Sequence, residues 1–111
     1  KMSDKIYKIC QGQDWHEACV KRVYAGSQVD LRDGFIHFST LPQLGATTRK
    51  YFHGKKNLIL VEIDTTNLAI TWEPSRGGEL FPHLYDELPV TGSEKTWLLE
   101  LDANGMPVLP F

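Results

Sequence analysis

Residues 57–64, Asn-Leu-Ile-Leu-Val-Glu-Ile-Asp, constrain the fold more than any other part of the chain. Four aliphatic residues in succession, then Ile63 after one charge, form a strand whose apolar run predicts a central position in a sheet. The run is far shorter than a membrane span, and no secretory pattern opens the sequence, so no membrane partner is expected. The other elements have to be arranged around this strand.

Residues 5–10 (Lys-Ile-Tyr-Lys-Ile-Cys) are β-branched and aromatic in content and predict a first strand, with Ile6, Lys8 and Cys10 on one side. Gly12 breaks it. Asp14 with Glu17 three residues later forms a capping-box-like start to a helix reaching about Tyr24, with Trp15, Ala18, Cys19 and Val23 as its apolar stripe. Residues 28–32 read as a connector. A second helix is expected after Ser39 or Thr40 as cap, with Pro42 in its first turn and Leu41, Leu44, Thr48 and Phe52 at helical spacing. It closes at His53-Gly54.

Beyond the central strand, residues 68–73 predict another strand ended by Pro74, and residues 75–79 (Ser-Arg-Gly-Gly-Glu) a loop. Pro82 places His83 and Tyr85 on a loop or an edge. Residues 96–102 alternate cleanly as a strand, and Asn104-Gly105 turns the chain toward a closing strand at 106–109. The whole predicts one α+β domain over residues 3–111: a split, mostly antiparallel β-sheet with two helices in the first half. Lys1, ahead of Met2, reads as an addition outside the domain.

The chain has 111 residues, 41% of them hydrophobic and 23% charged, and a formal net charge of −2. That balance is ordinary for a soluble globular protein and carries no basic excess for nucleic acid. Cys10 and Cys19 have neither metal nor redox spacing; reduced, partly buried thiols in the cytoplasm are expected.

The polar residues that break the core pattern are candidates for a site. Residues 33–40, Asp-Gly-Phe-Ile-His-Phe-Ser-Thr, place His37 inside a strand, sharing a side with Phe35 and Ser39. Asp30 and Asp33 precede it. Glu73, Arg76, His83 and Tyr85 surround the glycine loop. An imidazole can carry a proton, and a guanidinium beside two glycines can clamp a phosphate or carboxylate. Each residue also has a plainer role: His37 as a satisfied core imidazole, Glu73 and Arg76 as a solvated ion pair, Tyr85 as packing. A metal site from His37, His83 and Asp30 or Glu73 has no ligand spacing to support it. A cysteine hydrolase would need a thiol outside the apolar pattern.

Taken together, Trp15, Tyr24-Ala-Gly-Ser27, Asp30, the 33–40 segment, Gln43, Tyr51-Phe52 and the long motif from Trp72 through Glu73, Arg76, Phe81 and His83 to Tyr85 resemble the small bacterial family called domain of unknown function 952. The likeness runs from the first strand to about Pro89. Asp86 stands where the family usually has glycine.

The resemblance implies a fold like that of ADP-ribosyltransferases, with a cleft between sheet halves, and a nucleotide ligand: NAD, ADP-ribose or a phosphorylated ribose. It implies His37 as the early-strand residue holding the ribose and Tyr51 or Tyr85 as the nicotinamide platform. Glu73 or Glu100 would be the carboxylate. His37 and Glu73 are thus the expected catalytic pair, with Ser39, Thr40, Arg76, His83 and Tyr85 binding ligand. The alternative is a non-catalytic small-ligand or protein-binding module whose polar motifs form a structural hydrogen-bond network.

Overall fold

The computed structural model describes residues 5–111; the side chain of Arg76 and the expected domain start near residue 3 lie outside the described residues. Strands β1 (Lys5–Gln11), β4 (Leu58–Asp64) and β8 (Lys95–Leu99) make one antiparallel sheet in the order β1-β4-β8. The predicted central strand, β4, is central. Its odd and even residues enter different cores. Val61 and Ile63 join Ile6, Cys10, Trp15, Ala18, Ile36, Phe38 and Leu84 on one face. Leu58 and Leu60 join Tyr7, Ile9, Leu44 and Leu99 on the other. Burial on both faces is the physical reason for the continuous apolar run.

Helix α1 (Gly12–Lys21) follows β1 and buries Trp15 and Ala18. It begins before Asp14, with Gln11 at the N-cap, and ends where Arg22 adopts a left-handed conformation at φ 67°. Cys19, expected in the stripe, is exposed, whereas Cys10 is buried. Strand β2 (Val23–Tyr24) pairs with β7 (Leu88–Pro89).

Residues 28–32, expected as a connector, are instead most of α2 (Gln28–Asp33). Ser27 accepts a hydrogen bond from the Asp30 N–H while Asp30 accepts one from the Ser27 N–H, a complete capping box. The described residues thus contain three α-helices rather than two, all before residue 52. The third, α3 (Leu44–Tyr51), is entered through a 3₁₀ turn at Leu41–Gln43, with Thr40 at its cap and Pro42 in its first turn.

The third sheet runs β3-β6-β5: β3 (Ile36–His37), β6 (Leu80–Leu84) and β5 (Ile70–Pro74), all antiparallel. Here Pro82 misleads. It lies in the middle strand and is fully buried, and His83 with it is neither on a loop nor on an edge. The Pro82 carbonyl accepts from the Phe38 N–H at 3.0 Å, so its nitrogen faces the same side, where β3 is leaving the ladder. By Ser39 the chain has crossed to β1, exchanging backbone hydrogen bonds with Tyr7. The proline's missing donor therefore falls at a gap between sheets. The expected closing strand at 106–109 is reduced to a bridge between Leu101 and Pro107.

Candidate functional site

Register on the β3-β6-β5 sheet builds the candidate site. Ile36, Leu84 and Ile70 stand opposite one another and face the core. The next row, His37, His83 and Thr71, must point to the other face. Two histidines are thereby a directly opposed cross-strand pair, with ring centroids 5.4 Å apart. Phe35, held just before β3, lays its ring against both, 4.5 Å from His37 and 4.2 Å from His83. The Tyr85 ring adjoins Phe35 at 5.0 Å.

Each imidazole is held by a carboxylate. His37 Nδ1 stands 2.6 Å from Asp30 Oδ1, and the same oxygen accepts from the His37 backbone N–H at 3.1 Å. Asp30 Oδ2 takes Lys8 Nζ at 2.7 Å and the Ser27 N–H at 2.9 Å. Lys8 completes the loop by donating to the His37 carbonyl at 2.9 Å. Burial by itself would raise the Asp30 carboxyl. The His37 hydrogen bond, the Lys8 charge and the Ser27 N–H outweigh it and hold the group well below the ordinary carboxylate range. An ionised carboxylate can only accept, so Nδ1 of His37 carries the proton and Nε2 is turned outward.

The second pair repeats the pattern. His83 Nδ1 lies 2.6 Å from Glu73 Oε1, and the Tyr85 hydroxyl donates to the same oxygen at 2.7 Å. The His83 hydrogen bond first, and that of Tyr85 second, lower the Glu73 carboxyl; the same contact raises the Tyr85 phenol. The two rings differ in access: His83 is buried, whereas the His37 side chain is 34% exposed. Asp33 Oδ2 stands 3.1 Å from the outward Nε2 of His37. Beside this cluster is an open depression of about 260 Å³ lined by Asp30, Gly34, Phe35, Tyr85 and Glu87.

Of the residues singled out from sequence, His37, Glu73, His83 and Tyr85 are brought together. Ser39 and Thr40 are directed elsewhere. The Ser39 hydroxyl meets that of Thr47 at 3.0 Å, and Thr40 is engaged in a capping box with Gln43, its N–H donating to Gln43 Oε1 at 2.9 Å. Arg76 sits in the turn Arg76–Gly78 immediately before β6; its side chain lies outside the described residues. Glu100 follows β8, in the other sheet, and its carbonyl accepts from Val108. Tyr51 is exposed at the end of α3. Among the described residues, no group of three or more His, Cys, Asp or Glu is arranged to hold a metal ion.

Sequence reasoning missed Lys8 and gave Asp30 no partner. One signal was present: Lys8 stands between Ile6 and Cys10 on the core side of β1, where a cation requires a buried counter-charge.

A family model described as "Protein of unknown function (DUF952)" matches residues 9–96, a span containing α2, both histidines and their carboxylates. The chain belongs to the DUF952 family. Its fold is shared by CC0527 of Caulobacter crescentus. A crystal structure of that protein is 40% identical, with a TM-score of 0.88 over 95% of this chain and 94% of that one. Its solution NMR structure is 43% identical, with a TM-score of 0.81 over 93% and 90%. No curated protein matches the chain. Within DUF952, then, this chain is an α+β domain of antiparallel sheets, and no helix among its described residues is long and apolar enough to cross a membrane.

Proposed function

We propose that the imidazole face of the β3-β6-β5 sheet binds a nucleotide or phosphorylated ribose, in an architecture of the ADP-ribosyltransferase kind. The observation that carries this reading is the opposed pair His37 and His83, each with its own carboxylate at Nδ1. A carboxylate–imidazole pair presents Nε2 with a fixed tautomer, able to take a proton from a ribose hydroxyl and, once it carries that proton, to hold a phosphate oxygen. The Phe35 and Tyr85 rings supply a stacking surface for a base or nicotinamide. Glu73, whose carboxyl is lowered by His83 and Tyr85, would oppose the positive charge that develops on ribose when nicotinamide leaves. Arg76, in the turn before β6, is the residue this reading assigns to the phosphates. The strands' division into separate small sheets supports the architectural half of the proposal.

One observation favours the non-catalytic reading. Glu73 Oε1 already accepts from both His83 and Tyr85, an arrangement that suits a structural network.

Titration with NAD and with ADP-ribose, followed by amide NMR shifts, tests the proposal. Shifts should centre on His37, His83 and Tyr85 and vanish in His37→Ala. Changes confined to surface lysines would overturn it. Glu73→Gln separates the two readings: binding retained with nicotinamide release lost means an enzyme, whereas no release from either protein means a binding module.

A further inference from the structure

We propose that Asp33 is a specificity-determining residue of this face, its carboxylate standing where an oxyanion of the ligand meets His37. The inference rests on the reading above that His37 faces the ligand. Asp30 consumes the Nδ1 edge of the ring, leaving Nε2 as the edge that a ligand can reach. Asp33 Oδ2 lies 3.1 Å from that atom. The two carboxylates on this ring are not equivalent. Asp30 is buried and tied to Lys8, Ser27 and the His37 backbone, so losing it opens the interior. The Asp33 side chain is 32% exposed and can leave His37 without disturbing the core.

Its departure also strands no charge. The other carboxylate oxygen of Asp33 is already 3.2 Å from Nε of Arg32, whose side chain is 73% exposed. Next in the chain comes Gly34, at φ 88°, with open space where a side chain would be. Asp33 therefore acts as an internal competitor. It holds the outer edge of His37 in the free protein, admits a phosphate or carboxylate oxygen by exchange, and screens out weakly charged ligands. When Nε2 is protonated the contact is an exposed ion pair, worth up to about 1 kcal/mol, so its removal should improve anion affinity about fivefold.

The test compares wild type with Asp33→Ala, titrating inorganic phosphate at constant pH and following the ring nitrogen shifts of His37. Asp33→Asn, nearly the same in shape, guards against a folding defect. In both variants phosphate should move His37 Nε2 at about fivefold lower concentration than in wild type. Equal concentrations in all three proteins, or no His37 response in any, would overturn the inference. A parallel ADP-ribose titration keeps the two proposals apart. Phosphate gain at His37 with no ADP-ribose response in any protein sinks the nucleotide reading and leaves Asp33 its role. Equal ADP-ribose binding at His37 in all three leaves the nucleotide reading standing and removes the role given to Asp33.

Discussion

At the scale of single residues, Asp30 organises the site. Its two oxygens take four donors: the His37 ring, the His37 N–H, Lys8 and the Ser27 N–H. Removing one member of a buried ion pair leaves the other uncompensated, so Asp30→Ala should cost about 3–5 kcal/mol in chemical denaturation. The same contacts set a pH dependence. The folded carboxyl lies below its unfolded value, so its contribution is complete above the ordinary carboxylate range, near pH 4. It is lost as pH falls from there through the lower folded value. Stability of the wild type should therefore decline below about pH 4 more steeply than that of Asp30→Asn, measured by urea unfolding at a series of pH values. Asp30 was legible from sequence only as a carboxylate ahead of a strand. Its hold on Lys8 joins helix α2 to strand β1, and nothing in local spacing connects them.

At the scale of elements, α2 decides where Asp30 stands. The spacing Ser27-x-x-Asp30 is a capping-box signature that could have been read from the sequence, yet the segment looked like a connector because its apolar residues Val29 and Leu31 stay exposed. A six-residue helix that buries a carboxylate rather than an apolar stripe leaves no periodic trace. Gly26 secures its entry: φ is 113°, and a Cβ there would stand 2.7 Å from Asp30 Cβ. Gly26→Ala should destabilise the fold by about 1–3 kcal/mol through backbone strain and that overlap. It should also shift the His37 ring signals, because Asp30 is what gives way; a thermal melt and a histidine NMR spectrum check the two halves. The middle strand β6 teaches the opposite lesson. Pro82 argued against a central position, but the neighbour it would have bonded is already crossing to β1, a matter of topology that one strand cannot reveal.

At the scale of the whole molecule, the Lys8–Asp30 pair joins the β1-β4-β8 sheet to α2 and β3. An ion pair of this kind costs desolvation, and well-packed apolar replacements often do as well or better for stability. Lys8→Met with Asp30→Leu should accordingly be less destabilising than Asp30→Ala, and both should lose the fixed tautomer of His37. A thermodynamic cycle on these variants, with ring-nitrogen shifts as second readout, separates stability from positioning. If the double variant keeps the His37 tautomer, the pair is not what orients the ring.

What the sequence determined by itself was local. The aliphatic run at 57–64 required a central strand, the alternation at 5–10 and 96–102 supplied its neighbours, and Thr40 with Pro42 opened a helical segment. Backbone preference and burial act over a few residues, so they can be read there. Tertiary structure alone decided that His37 would face His83, that Asp30 would reach Lys8, and that Ser39 would turn away to Thr47. Those partners are 46, 22 and 8 residues apart in the chain, and only strand register and the crossing of β3 between sheets bring two of the pairs together and direct the third.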